Sequence, residues 1–372
     1  MEMRTTPLAS AAHGTKLELT ALHFGKPGTG EKVVIQASLH ADELPGMLVA
    51  QHLRRCFEEH ERAGRIHGEI ILLPVANPIG LAQSLLSSEA GRFDLDSGEN
   101  FNRNYPELTR TLIAHVEGRL SADTKQNRTV IRGAMKSILA GMVCVDPLSS
   151  LRRALLLQAC DADLVLDLHC DYEAVLHMYL GTPLWPAAEP LARLLGVEAV
   201  LLATESGENP FDEACSKVWW ELAVHFGDEF PIPLACLAAT IELRGSRDVT
   251  HAFAAHDAKA IESFLIHRGV LAGDAVSLPP ARCAPTPLAG SMPIETPRSG
   301  VLVFSAEVGE KVRRGDCIAE IVDPVSSEVT RLLSPVAGVL YAREVRRYVR
   351  AGTRVAKVAG AEALRTGRLL SA

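Results

Sequence analysis

A chain of 372 residues with 47% hydrophobic and 22% charged side chains has apolar material for a sizeable core and room for two domains. Its 38 basic and 45 acidic residues leave a net charge of −7 without a long run of one sign, which argues against nucleic acid or an anionic membrane as the main partner. No stretch has the apolar length of a signal peptide or a membrane span, and the eight cysteines contain no C-x-x-C pair. The expectation is therefore a cytoplasmic protein with reduced thiols, without a disulfide framework or a cysteine-type zinc site.

Residues 16–24 alternate in polarity and predict a half-exposed strand, closed by a Gly/Pro turn from Gly25 to Gly30. Val33 to Ser38 predicts a buried strand, and an amphipathic helix follows from about Gly46 to His60. Between them runs His40-Ala41-Asp42-Glu43. An arbitrary His-x-x-Glu is more often a polar loop than a metal site, so its meaning depends on what the rest of the chain supplies. A second apolar strand, Glu69 to Val75, stops at Asn77-Pro78. Strand, helix and strand within about 45 residues make a βαβ unit and predict a largely parallel sheet.

Residues 87–106 form a long polar loop carrying Arg92 and Arg103, and loops of this length inside compact domains are often functional. Residues 107–160 read mostly as helix. Asp163 to Leu168 and Ala235 to Leu243 predict two further core strands, the first delivering His169 and the second carrying Glu242 near its end. His40, His169 and Glu242 thus share the C-terminal edge of the sheet, where diverging loops leave a crevice for ligands.

Beyond about residue 275 the texture changes. Pro279, Pro280, Pro285, Pro287, Pro293 and Pro297 punctuate a linker, and a short all-β module follows. Gly300-Val301-Leu302-Val303 and Val312 to Asp316 recur as Gly338-Val339-Leu340-Tyr341 and Val349 to Thr353, at offsets of 38 and 37 residues. Two matching halves predict a pseudo-twofold β-sandwich. The division expected is a catalytic α/β domain over 1–285 and a β domain over 286–372. The module resembles biotinyl/lipoyl-type barrel-sandwich domains, which carry their cofactor on a lysine between the halves. Here the corresponding Val325-Ser326-Ser327-Glu328-Val329 has no lysine, so a lid or an oligomerisation role is expected instead.

Two imidazoles and one carboxylate are a recurring ligand set of hydrolytic zinc sites, which keep a fourth position open for water. His40, Glu43 and His169 offer that set. A metal-activated water needs a carboxylate base, for which Glu242 is the natural candidate, and a tetrahedral intermediate needs positive charge, for which Arg92 and Arg103 are available. A bidentate guanidinium also suits a substrate carboxylate. Cys170, beside His169, reads as a buried structural thiol rather than a nucleophile.

The phrases Leu39-His40-Ala41-Asp42-Glu43, Asn100-Phe101-Asn102-Arg103-Asn104-Tyr105-Pro106, Asp167-Leu168-His169-Cys170-Asp171 and Thr240-Ile241-Glu242-Leu243-Arg244-Gly245, with Asn77-Pro78 between, come in the order of the zinc carboxypeptidase superfamily. Within it the chain resembles the succinylglutamate desuccinylase/aspartoacylase family over nearly its whole length, the appended β domain included. The resemblance implies a mixed, largely parallel sheet flanked by helices and one zinc ion per chain on His40, Glu43 and His169. It makes Glu242 the general base and later proton donor. Asn102 and Arg103 would grip the substrate carboxylate, and Arg92 would polarise the scissile carbonyl. The activity implied is removal of an acyl group from a small N-acylated amino acid or diamino acid.

Where the family commonly has Asp-Leu-Asn-Arg, this chain has Asn100-Phe101-Asn102-Arg103, a departure that bears on acyl specificity. Pro210 to Cys215, followed by Trp219-Trp220, resembles bacterial members that deacetylate N-acetylated diamino acids. Asp212 or Glu213 would then meet a cationic group on the substrate, although two acids at a helix start also fit a simple capping role. A carboxypeptidase acting on short peptides and a non-catalytic binding protein that kept the fold are the alternative functions. A homo-oligomer is compatible with the sequence.

Overall fold

The computed structural model describes residues 1–370. Its first strands, β1 (Glu2–Leu8) and β2 (Leu17–Gly25), pair antiparallel from Glu2↔His23 to Leu8↔Leu17. β1 carries no apolar signal because its side chains are largely exposed; the ladder to β2 holds it. Then come β3 (Glu31–Ala37), α1 (Pro45–Arg62), β4 (Gly68–Leu73), the single turn α2 (Pro78–Leu81) and the hairpin β5 (Ser84–Leu85)/β6 (Ser88–Glu89). Three helices follow: α3 (Thr109–Val116), α4 (Thr124–Gly141) and α5 (Pro147–Ala159). The chain continues through β7 (Leu164–Asp171), β8 (Glu173–Ala174), β9 (Leu176–Gly181), α6 (Trp185–Leu195), β10 (Ala199–Ala203), α7 (Phe211–Phe226), β11 (Leu237–Gly245) and α8 (His251–His267).

Among the described residues the main sheet runs β1-β2-β4-β3-β7-β11-β9-β10-β12, where β12 (Pro285–Pro287) extends the β10 edge in parallel. β4-β3-β7-β11 are parallel, and antiparallel pairs occur at β1-β2, β2-β4 and β11-β9. The expected mixed, largely parallel α/β sheet is what the chain forms. β9 and β10 were not expected from the sequence.

Strand alternation sorts the core. Val33, Ile35, Leu166, Leu168, Ala239 and Ile241 face one cluster, covered by α1, α6 and α8. Val34, Val165 and Ala238 face another, covered by α3, α4, α5 and α7. Both faces are apolar, as a covered parallel sheet requires. The second face changes character toward the C-terminal edge. Gln36, Asp167, His169, Thr240 and Glu242 follow Val34, Val165 and Ala238 at two-residue steps, so all five stand on that face. Glu242 pairs directly with His169, and Asp167 lies between Gln36 and Thr240.

α1 starts on Pro45, whose missing N–H costs nothing at a first turn, and buries Val49, Ala50, Leu53, Phe57 and His60 at helical spacing. Two non-glycine residues with positive φ bracket the crevice: Ser38 (φ 65) before His40, and Arg244 (φ 67) after Glu242. Such conformations cost energy and persist where the surroundings fix them. Arg244 is fixed by two bonds of 2.8 Å to the Asp257 carboxylate on α8.

The C-terminal strands are β13 (Ser291–Glu295), β14 (Gly300–Phe304), β15 (Lys311–Val312), β16 (Cys317–Val322), β17 (Val329–Leu333), β18 (Gly338–Arg343), β19 (Tyr348–Val349) and β20 (Arg354–Gly360). Their sheets run β13-β20-β18-β15 and β17-β16-β14-β19. Advancing each strand of one sheet by four, cyclically, yields the other, so the sequence repeat is a true pseudo-twofold sandwich. β18 also pairs with β8 through Ala342↔Ala174 and Arg343↔Glu173, which ties these C-terminal strands to the segment between β7 and β9.

Candidate active site

The turn after β3 brings His40 and Glu43 to the end of β7. Gly91 makes this possible: a Cβ there would lie 2.3 Å from the Asp42 nitrogen, while its carbonyl accepts from the Ala41 N–H at 2.9 Å. The loop that carries Arg92 is thereby pressed against the His40 turn.

His40 Nδ1 lies 2.9 Å from Glu43 Oε1, and His169 Nδ1 lies 2.8 Å from Glu43 Oε2. One ligand atom from each of the three falls within 4.8 Å of the others, and all three residues are buried. The far side of each ring is held. His40 Nε2 is 2.8 Å from Asn100 Oδ1, which fixes its N–H there and turns the Nδ1 lone pair inward. His169 Nε2 is 3.0 Å from Asp167 Oδ2, and Asp167 in turn accepts from Gln36 Nε2 at 3.0 Å. Imidazoles that ligate metals are oriented by such oxygen partners. The donor set therefore fits a divalent zinc-type ion.

The charges agree with that fit. Burial, then Arg92, lowers His40 to about 4, so this imidazole is neutral at physiological pH. Burial opposes the charge on His169, but Asp167 and Glu43 raise it well above its usual range. For Glu43 burial acts upward, yet the two imidazoles hold it well below the carboxylate range. Bare of an ion, the cluster shares a proton that a cation would replace.

Glu242 stands beside this cluster with Oε2 buried and without a hydrogen-bond partner. Burial, then the Glu43 carboxylate, pushes its carboxyl up to about 8. Arg92 donates to Glu43 Oε1 at 3.0 Å. Asn102 Oδ1 accepts from the Phe211 N–H at 2.9 Å, which ties it to the start of α7, and its amide Nδ2 lies 3.4 Å from His169 Nε2. Arg103 donates to the Asn102 carbonyl at 2.6 Å, and its Nε lies 3.6 Å from Glu208.

An inner cavity of about 100 Å³ is lined by His40, His169, Arg92, Asn102, Arg103, Asp212, Glu213 and Glu242. Every residue singled out from the sequence except Glu43 lines it; Glu43 lies just behind, on the wall of an outer cleft of about 1060 Å³. Asp212 is pushed up to about 7, by burial first and Glu213 second. Glu213 accepts from the Ser206 N–H at 2.6 Å and is also raised by burial. Cys170 is buried, its thiol pushed far up by burial, and its N–H donates to Glu43 Oε2 at 3.0 Å.

Three contributors escaped the sequence reading. Asp167 had a signal: it sits two residues before His169, hence on the same face of a strand. Asn100 had only its proximity to Asn102. Lys357, on β20, lines both cavities and donates to Asp171 Oδ2 at 2.6 Å; nothing local in sequence announces it.

Residues 29–131 match the family model described as the succinylglutamate desuccinylase/aspartoacylase catalytic domain. No curated protein matches the sequence significantly. Among solved structures, a succinylglutamate desuccinylase/aspartoacylase family protein from Shewanella amazonensis is 26% identical, with a TM-score of 0.84 over 96% of this chain and 98% of its own. A second, from Shewanella frigidimarina, is 26% identical, with a TM-score of 0.81 over 96% and 97%. The ectoine utilization protein EutE from Ruegeria pomeroyi shares the fold at 15% identity, with a TM-score of 0.67 over 95% and 93%. The class these findings define is a mixed, largely parallel α/β sheet flanked by helices, with C-terminal antiparallel sheets appended. The chain resembles the succinylglutamate desuccinylase/aspartoacylase family in its catalytic-domain sequence and in its fold throughout.

Proposed function

We propose that the protein is a zinc-dependent amidohydrolase that removes an acyl group from a small N-acylated amino acid or diamino acid. The observation that carries this reading is the convergence of two oriented imidazoles and Glu43 beside the unpartnered oxygen of Glu242. His40, Glu43 and His169 would hold the ion, which when bound lowers the pKa of a water and polarises a carbonyl. Glu242 would accept a proton from the attacking water and return it to the departing amine. The Glu43 charge that helps raise Glu242 in the absence of an ion would be offset by a bound cation, which would favour the carboxylate form that accepts the proton. Arg92 balances charge on the carbonyl oxygen as the tetrahedral centre develops. Asn102 and Arg103 receive the substrate carboxylate, and Asp212 or Glu213 receives a cationic amine on the same substrate.

The size of the inner cavity and the placement of Lys357 at its mouth favour a small substrate over a peptide. The test is zinc-dependent amine release from a panel of N-acetyl, N-succinyl and N-formyl amino and diamino acids, with dipeptides beside them. Turnover of one acyl class is expected. Cleavage of dipeptides alone would replace the reading with a carboxypeptidase, and no turnover by zinc-loaded protein would end it. Asp212→Ala and Glu213→Ala should lose more activity on cationic than on neutral substrates; equal losses would return the pair to a capping role.

A further inference from the structure

The helix that leaves the His40 turn carries a second set of metal-type donors at its far end. Cys56 and His60 stand four residues apart on α1, so they lie one above the other on a single helix face. α8 packs along α1 and brings Glu262 to the same point. One ligand atom from each of the three lies within 4.8 Å of the other two. His60 is 3% exposed, and Cys56 and Glu262 are partly buried. The cluster lies on the sheet face opposite to the one that carries His169 and Glu242.

Protein contacts leave this cluster incomplete. His60 Nε2 is 2.8 Å from Glu262 Oε1, and Glu262 Oε2 accepts from Lys259 Nζ at 2.8 Å. His60 Nδ1 is buried and has no partner. Buried imidazole nitrogens normally find one. The Cys56 thiol also hydrogen-bonds to Glu262, so this one carboxylate gathers the thiol and the imidazole at the same point. Burial, then the Glu262 carboxylate, pushes the Cys56 thiol up to about 12, a direction that a cation between the two would reverse.

We infer that Cys56, His60 and Glu262 form a second divalent-cation site, for a borderline-soft ion of the zinc type. A thiolate, an imidazole and a carboxylate suit such an ion, whereas calcium and magnesium call for oxygen ligands throughout. Binding releases the Cys56 proton to solvent and displaces Lys259, whose side chain is 69% exposed and free to swing away. The bound ion pins α1 to α8. This site does not depend on the function proposed above, since none of its residues lines either cavity.

Cobalt(II) separates the two sites, because a thiolate–cobalt bond gives a near-ultraviolet charge-transfer band and a bis-imidazole–carboxylate site gives none. The metal-depleted full-length protein is titrated with cobalt(II), with absorption and bound metal followed together. Wild type should show the band and bind one more ion per chain than C56S, which should lose the band. E262Q keeps the thiol and should need at least about tenfold more cobalt to develop it. Circular dichroism confirms that each variant is folded, so E262Q carries the test if C56S is not. No band in wild type overturns the inference. A band that persists in C56S, or one unmoved in E262Q, overturns it too by assigning the thiolate to another cysteine such as Cys170.

Discussion

α1 joins two clusters of similar chemistry in different states of completion. At its N-terminal end His40, Glu43 and His169 are buried, and Asn100 and Asp167 hold the outward nitrogens of both imidazoles. At its C-terminal end His60 has one nitrogen engaged and the other orphaned, and Glu262 is shared with an exposed lysine. Oriented ligands lose little freedom on binding, so the first cluster is prepared for an ion and the second must gather itself around one. The difference teaches where to look for a working site: in the partners behind the ligands as much as in the ligands.

The largest effect should come from taking the prepared cluster apart. His169→Ala is expected to lose both bound metal and turnover, whereas Glu242→Ala should keep the metal and lose turnover by ~10²–10⁴-fold, the range for a general base. Elemental analysis alongside kinetics separates the two. A Glu242→Ala enzyme with full activity would remove Glu242 from the chemistry.

A smaller loss sharpens the same contrast. Asp167→Asn leaves all three ligands in place and changes only what stands behind His169. Metal affinity should fall ~10–100-fold. An unchanged affinity in a competition titration with a chelator would mean that the orientation of His169 does not depend on Asp167.

The smallest effect is on stability and concerns Asp212. Its folded pKa of about 7 lies above the ordinary 3.8, so the folded state holds this proton more tightly than the unfolded chain does. The contribution of this group is therefore full below about pH 4 and is lost as pH rises through about 7. Asp212→Asn should be more stable than wild type at pH 8, by a few kcal/mol at most, and so unfold at a higher temperature, and the gap should close at pH 4. Metal-depleted protein in thermal melts at the two pH values gives the comparison. A gap of the same size at both would place the effect outside ionisation.

Much of the site was legible because it is written in period two. His169 and Glu242 follow apolar runs whose strand character is unmistakable, and parallel pairing then forces their ends together. Pro45 and the apolar spacing behind it announced α1. What escaped has a physical reason in each case. β1 exposes its side chains, so only its ladder identifies it, and β12 is a proline-flanked edge with no pattern of its own. Lys357 comes from a strand 188 residues beyond His169, and its arrival depends on how β18 docks against β8, a contact no local pattern encodes. The cluster at Cys56 was overlooked because its third member comes from α8, about 200 residues later in the chain.

The pairing of β8 with β18 also bears on traffic. Arg92, Cys170, Asp171 and Lys357 border both the inner cavity and the outer cleft, and two of them, Asp171 and Lys357, are an ion pair made between β7 and β20. A molecule passing from the cleft to the cavity meets that pair on the way. Under the activity proposed above, loosening the β8–β18 seam would change the passage of substrate and product past this pair, since none of His40, Glu43 and His169 belongs to the seam.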